Sequence, residues 1–599
     1  MKRYLPNFHN YSIRNAFADK YYSLGLTICL IQGMGLGPKN FQWGLDPSWG
    51  WLSVKAEQLG WYAQGKYLWT YGPTFFLDTQ SIGWAQGFAL ASIFRVAVGT
   101  FFFTTIYKLC DKKKCTKIWT LSISIIFTTV SFILFTPSLI LIATLWVILL
   151  SDLVQCRFAS AFNIFLLSLI SVVELFDKIL QGLIAVLLSI ALINRQKLAI
   201  KASGFYLSLS ALIVGLFLYF SGFTSKSLDL YLRGQYELTI GYKAMASEAV
   251  GGLWEYLAVI ILSILAVWSL RIQSRHIFKI TIFVTIDILL IQYGFIRHDA
   301  HSQTTFYFLM LALIASTDIN FSSASCFPAY LAIGTFLVVT SISISAIIDF
   351  SPRLQSFSSD FKLMDPRYKQ QLIEQDIATL QGNAHVNSNM LAKIGKQTVA
   401  VMPWDQLVGR AYNLNLVSTP IPQNYSAYTN WLDETNAYYL QGMSAPEYIL
   451  VSAPEAIDGR NPKWESPLAQ VALICSYKSI NYDSDWLLLQ KREQSICNIT
   501  GEGNNNSVSS ASQKGILVAN VTQHTSFMQR TVSMIFKRTH YETIMENDLT
   551  WNLVSANHQN LIINVPKYID FPAKWAFGQK NILTASANQE IHYSVIPLN

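Results

Sequence analysis

Up to about residue 350 the chain is a succession of long apolar blocks divided by short basic clusters, and no other feature restricts its fold as strongly. A run of about 20 mainly apolar residues is the helix length that crosses the hydrocarbon of a bilayer. About eleven such helices are predicted, over 21–37, 82–107, 118–134, 136–151, 159–175, 179–194, 203–221, 253–270, 277–295, 303–319 and 328–348. The pairs that meet near Pro137 and Lys178 are close enough to be tilted or re-entrant. Composition agrees, with 52% hydrophobic and only 13% charged residues. The net charge of +8 does not point to nucleic acid, because many of the lysines and arginines sit in short loops where membrane topology explains them.

The basic, aromatic segment before the first block has no small-residue cleavage site after it, so it reads as leading into a retained helix and not as a signal peptide. Basic residues then set the orientation. Lys2, Arg3, Arg14 and Lys20 precede the first helix, and Lys108, Lys112, Lys113, Lys114 and Lys117 follow the second. Arg157 follows the fourth, Arg195, Lys197 and Lys201 the sixth, and Arg271, Arg275 and Lys279 the eighth. All fall on one side, which the positive-inside rule makes cytoplasmic. An odd number of helices then places the C-terminal part outside.

That part reads as soluble. The expected division is a transmembrane domain over 1–349, an α/β subdomain over 350–500 and a β-rich subdomain over 501–599. Thr398–Met402, Tyr448–Val451 and Trp486–Leu489 have the pattern of buried strands, and Trp431–Leu440 and Pro467–Tyr477 that of helices. Beyond a Gly/Asn/Ser-rich linker near 501–513, short apolar runs suggest a β-sandwich. Cys475 and Cys497 are placed for a disulfide between neighbouring strands if the compartment is oxidising. Cys110 and Cys115 flank a lysine run, and no further zinc ligands lie near them in sequence.

On this topology the segments facing outside are the loop around Asp46, the turn at Glu174-Leu175-Phe176-Asp177-Lys178, a loop from about 222 to 252, and Gly294 to His301. Ionisable residues with no topological role collect there, and charge near membrane depth tends to mark a substrate site. The first loop carries Gly44-Leu45-Asp46-Pro47-Ser48-Trp49, then a short amphipathic helix suited to the membrane interface, then Thr70-Tyr71-Gly72-Pro73. Asp46 is the first candidate for chemistry. Its alternative is a helix N-cap, with Pro47 at the first helical position. No glycine-rich phosphate loop, Gly-x-Ser-x-Gly elbow or His-Glu-x-x-His helix occurs in the soluble part, so the reaction is placed in the membrane part.

A helical membrane domain, an acidic residue in the first outer loop beside an interfacial helix, and an external C-terminal domain together resemble the GT-C glycosyltransferases. The motifs just quoted, with Gly241-Tyr242-x-Ala244-Met245 and Gly294-Phe295-x-Arg297-His298-Asp299-x-His301, are similar to a set of bacterial membrane proteins of that fold. The likeness to arabinofuranosyltransferases is one of architecture. The resemblance implies a polyprenyl-phosphate sugar as donor, a glycan, lipid or protein as acceptor, membrane lipid as surroundings and a bacterial inner membrane as location. Asp46 is then the base that takes the proton of the acceptor hydroxyl. Lys178, Arg297 and His298 are candidates to bind the donor phosphate, and Trp49, Tyr71 and Tyr242 to line the sugar and acceptor site. No cofactor is required. A divalent metal (Mg, Mn or Ca) is a third reading of His298, Asp299 and His301, with Asp46, Glu174 or Asp177 adding a ligand. Rival readings are a lipid-linked glycan ligase or polymerase, which depends on a large late outer loop, and a transporter, which expects internal repeats.

Overall fold

The computed structural model describes residues 19–34, 42–78, 88–151, 160–194, 199–242, 253–273, 277–297, 301–317, 327–340 and, with short breaks, 362–497, together with strands between 515 and 597. Within the described residues each predicted apolar segment contains a helix: α1 (Lys20–Met34), then, beyond α2 (Leu45–Gln58), α3 (Phe88–Lys112), α4 (Lys117–Leu134), α5 (Pro137–Ser151), α6 (Ala161–Asp177), α7 (Ile179–Ile193) and α8 (Ala199–Phe220). After α9 (Ser225–Gly241) come α10 (Leu253–Gln273), α11 (Ile277–Ile296), α12 (Ser302–Ser316) and α13 (Phe327–Thr340). Among the described residues, five helices are long and apolar enough to cross a membrane, those at 89–112, 117–134, 200–220, 254–271 and 277–296.

Helices α5 and α12, 15 residues each, are shorter, at about 22 Å against about 30 Å of hydrocarbon. They are buried on nearly every side, so other helices rather than lipid surround them. Helix α5 is enclosed by α3, α7 and α12, with the Trp146 indole stacked on Phe283 at 5.3 Å. Helix α8 instead leaves Leu207, Leu212, Leu216, Tyr219 and Phe220 exposed.

Lysines from other segments cap the C-terminal carbonyls of the buried helices. Lys112 Nζ donates to Ser151 O at 2.9 Å, Lys279 Nζ to Leu150 O at 2.8 Å, and Lys113 Nζ to Thr317 O. These carbonyls lack partners within their own helix and carry the negative end of its dipole. The ends of α3, α5 and α12 and the start of α11 therefore share one face, the one to which the sequence assigned its basic clusters. Lys2, Arg3, Arg14, Arg157, Arg195, Lys197 and Arg275, assigned to the same side, lie outside the described residues.

The stretch from 222 to 252 is not simply a loop. Thr224 and Ser227 form a reciprocal capping box, and α9 follows, burying Ser227, Tyr231, Gly234 and Leu238 at helical spacing. Helix α2 is the expected amphipathic helix and buries Leu52 and Ala56. Burial raises the Glu57 carboxyl from its ordinary 4.5 to about 7. The folded protein keeps a proton that the unfolded chain gives up between these values, so this group makes stability fall as pH rises from about 4.5 to 7. Glu57→Gln is expected to raise the Tm at about pH 8 and to leave it unchanged at about pH 4. Thermal unfolding in detergent at both pH values checks this.

In the C-terminal part, α14 (Pro366–Ala384) and α15 (Ser388–Ile394) lead into a five-stranded sheet of order β2-β1-β3-β5-β4. Its strands are β1 (Thr398–Met402), β2 (Asn415–Leu416), β3 (Tyr448–Ser452), β4 (Tyr477–Tyr482) and β5 (Trp486–Lys491). β2, β1 and β3 are parallel, and β5 and β4 are added antiparallel. Between them lie α16 (Leu407–Ala411), α17 (Asn430–Gln441) and α18 (Pro467–Ser476). Cys475 and Cys497 are bridged, but the link runs from α18 to the segment after β5 rather than between neighbouring strands. Beyond it, β6 (Gly515–Gln523) pairs antiparallel with β9 (His558–Asn564) and β11 (Gln589–Pro597). A second antiparallel sheet joins β7 (Thr543–Glu546), β8 (Leu549–Asn552) and β10 (Leu583–Thr584).

The sheet does not stand apart from the helices. One apolar core runs from Leu52 and Ala56 of α2 through Tyr67, Trp69, Phe176 and Tyr231 to Met390, Val401, Leu450 and Leu488. Leu68 N donates to Pro420 O at 2.7 Å, and Gln423 Nε2 to Leu45 O at 3.2 Å. The C-terminal domain thus sits directly on the Asp46 loop.

Candidate functional site

Helix α2 begins at Leu45, with Gly44 as its N-cap at φ 138°, a conformation that favours glycine. Asp46 is therefore inside the first turn and its side chain caps nothing, so the N-cap reading does not hold. The helix starts before the Asp-Pro pair that suggested it. Asp46 remains favourably placed by the helix dipole. It is exposed, and its Oδ1 accepts the Trp49 indole N–H at 2.9 Å.

From Trp49 the predicted residues follow one another by direct contact. The Trp49 ring stacks on Tyr71, 5.0 Å between centroids and 4° from parallel. The Lys178 ammonium lies 4.8 Å from the centroid of Tyr71 and 4.8 Å from that of Tyr293, and Tyr293 meets the His301 ring edge-on at 5.7 Å. A cation held between two aromatic faces is stabilised by both ring quadrupoles.

The Thr70-Tyr71-Gly72-Pro73 segment reaches this position by satisfying carbonyls at the C-terminal end of α6. Gly72 N donates to Asp177 O at 2.7 Å, Thr74 N to Phe176 O at 3.3 Å, and the Thr74 hydroxyl to Val173 O at 2.8 Å. A Cβ on Gly72 would run into the Phe176 carbonyl oxygen and come within 2.6 Å of the Tyr231 hydroxyl. Gly72→Ala is expected to cost about 1–3 kcal/mol through overpacking against backbone that cannot move aside. A fall in Tm with loss of the Tyr71–Lys178 contact, seen as a changed tyrosine near-ultraviolet signal, checks it.

Beneath this layer is a group of acids. Asp78 accepts Ser138 N at 3.0 Å and so caps the start of α5, with Arg95 near enough to offset its charge. Glu174 and Asp177, at the end of α6, are 0% and 1% exposed. Both lie within electrostatic reach of Asp78, and Asp177 of Lys178 as well. Neither carboxylate of the pair has a hydrogen-bond partner, although the Ser138 hydroxyl is close to Glu174. Lys178 breaks the helix between α6 and α7 in an extended conformation, and Gly182 packs on the Leu175 backbone to let the two helices meet there.

Tyr242, at the end of α9, joins this centre to the C-terminal domain. It is within electrostatic reach of Lys178 and Tyr71, and it meets Tyr428 edge-on at 6.1 Å. Tyr428 in turn senses Arg297 and Arg460, and Tyr425 senses Asp46. Burial raises both phenols, so Tyr425 and Tyr428 stay neutral at physiological pH. Arg460 is almost fully buried, 3.3 Å from Glu465 and 5.7 Å from the centroid of Tyr425.

Asp46, Trp49, Tyr71, Glu174, Asp177, Lys178, Tyr242, Arg297 and His301 thus belong to one connected region, while His298 and Asp299 lie outside the described residues. Among the described residues, no three His, Cys, Asp or Glu side chains converge as a metal cluster. The sequence reading missed Asp78, Arg95, Tyr293, Tyr425, Tyr428 and Arg460. Arg95 had a usable signal, as a lone charge within an apolar block. Tyr425 had none, being held within electrostatic reach of Asp46 by packing between distant segments such as Gln423 and Leu45, which are 378 residues apart.

Such a region can place an exposed carboxylate, an arginine and stacked aromatic rings around a polar ligand that approaches along the membrane surface. No known family model matches the chain, and no curated protein matches its sequence.

Proposed function

We propose that this protein is an integral-membrane glycosyltransferase that moves a sugar, such as a pentofuranose, from a polyprenyl-phosphate donor to a hydroxyl of an extracytoplasmic glycan or protein acceptor. The observation that carries the reading is the convergence of Asp46, Tyr71, Lys178, Tyr242 and Arg297, from separate loops, beside an interfacial helix. The reading takes the helical part as a GT-C-like domain of about eleven spans in a bacterial inner membrane. It puts the N-terminus in the cytoplasm and the C-terminal domain outside. The lysine-capped helix ends on one face and the Cys475–Cys497 bridge support that orientation.

In the reaction, Asp46 takes the proton of the acceptor hydroxyl as its oxygen bonds to the anomeric carbon. The bond from that carbon to the donor phosphate breaks, and its electron pair leaves with the phosphate. Arg297 holds that phosphate through its planar guanidinium. Because phosphate is stable as an anion, no general acid is needed, unlike the paired carboxylates of glycoside hydrolysis. Lys178 is engaged by two carboxylates and two rings, so it serves mainly to fix Tyr71 and Tyr293 around the site.

The test is transfer of radiolabelled sugar by the purified full-length protein from a panel of polyprenyl-phosphate pentoses and hexoses to acceptors in a membrane extract. Turnover of at least one donor is the expected result. No transfer from any donor overturns the reading and favours a ligase of whole lipid-linked glycans or a transporter.

A further inference from the structure

The buried acids are an unusual feature for a site meant to receive a phosphate. Asp78 Oδ2, both oxygens of Glu174, both of Asp177 and Oε1 of Gln181 are buried acceptors with no donor. Leaving one buried polar atom without a partner costs about 1–3 kcal/mol, and more when it is charged. A set of acceptors gathered around one helix break calls for a ligand that brings donors.

Three kinds of ligand bring donors or positive charge to carboxylates: metal ions, organic cations and neutral polyols. Among the described residues no three His, Cys, Asp or Glu side chains form a group that could hold a metal ion, and magnesium is kept as an arm of the test below. An organic cation would meet the Lys178 ammonium, which already stands within electrostatic reach of Asp177 and Asp78. Hydroxyl groups donate without adding charge. Tyr71, within electrostatic reach of Asp177 and Asp78, closes the group of acids on the side of the first loop.

Resting on the glycosyltransferase reading, we infer that Glu174 and Asp177 form the subsite that grips the hydroxyl groups of the donor sugar, beneath the layer in which Tyr71 is held between Trp49 and Lys178. Arg297 then holds the phosphate, and the acids select for a polyhydroxy group attached to it. The two carboxylates orient the sugar and take no part in proton transfer.

Binding of two probes by the full-length protein in detergent separates this inference from the reading beneath it. The probes are bare polyprenyl phosphate and the same lipid bearing a pentofuranose or a hexopyranose. Wild type is expected to bind at least one sugar-bearing lipid roughly tenfold or more tightly than the bare lipid, the range for hydrogen bonds to charged groups. Asp177→Asn and Glu174→Gln are expected to lose that preference and to bind the bare lipid as before. Their Tm without ligand should equal or exceed that of wild type, because each amide brings N–H donors to a group of buried acceptors that lack them.

If both variants keep the wild-type preference, the subsite is overturned while the donor reading stands. If wild type binds neither lipid, the donor reading falls, and soluble methyl glycosides at millimolar concentration test the subsite alone. Stabilisation of wild type but not of the variants supports it, and an equal response overturns it. Stabilisation by magnesium ion or by a simple amine that the variants lose also overturns it, in favour of a cation site.

Discussion

Asp46→Asn is expected to lower sugar transfer by about 10²–10⁴-fold, the usual contribution of a positioned general base. The amide has nearly the size of the carboxylate and still accepts the Trp49 indole N–H, so the start of α2 and the Trp49–Tyr71 stack should persist. What the amide lacks is the ability to take a proton at neutral pH. Because Asp46 is exposed and caps no backbone N–H, its loss should leave the Tm within about 1 °C of wild type, as for surface changes away from structural features. The measurement is initial rate of transfer beside thermal unfolding of the same preparation. A folded variant within a few-fold of wild type would remove Asp46 from the mechanism and turn attention to the buried acids below it. The opposite pattern, a large loss of Tm, would mean that Asp46 acts through the helix and not on substrate.

Arg460→Ala should have the largest effect on stability. The guanidinium is 3.3 Å from Glu465 and donates to the Tyr425 carbonyl at 3.4 Å, with both charged side chains almost fully enclosed. Truncating one member of a buried ion pair removes its partner's nearest opposite charge and costs about 3–5 kcal/mol. The loss falls on the wall formed by Tyr425 and Tyr428, so transfer should also fall through a higher acceptor KM more than a lower kcat. Replacing both partners with apolar residues, Arg460→Met with Glu465→Leu, should recover much of the Tm. If the double variant regains stability but not KM, the guanidinium acts on the site. If it regains both, the pair is structural only.

The helical half was legible because burial in a membrane leaves a simple trace: long apolar runs, with basic residues at one set of ends. Each predicted segment holds a helix among the described residues, and strands β1, β3 and β5 lie where alternating and apolar runs placed them. The exception is α9. Its polar surface, with Lys226, Asp229, Arg233 and Glu237, masked a buried stripe of Ser227, Tyr231, Gly234 and Leu238, and only a count at helical spacing separates it from a loop. The Asp-Pro pair misled in the other direction. It suggested a helix beginning at Asp46, whereas Gly44 provides the unusual backbone angle from which the helix starts.

The sequence by itself determined the apolar helices and the common face of the lysines that end α3 and begin α11. Each of these follows from local composition, because the cost of placing a charge or a bare peptide group in hydrocarbon is met within a single segment. Only the tertiary structure decided which side chains from separate loops touch. It set Lys178 between Tyr71 and Tyr293, brought Asp78 to Ser138, and laid Tyr425 and Tyr428 of the C-terminal domain beside Asp46 and Tyr242. Such contacts depend on how helices and sheet pack across hundreds of residues, and packing energy is a property of pairs of surfaces that no single segment carries.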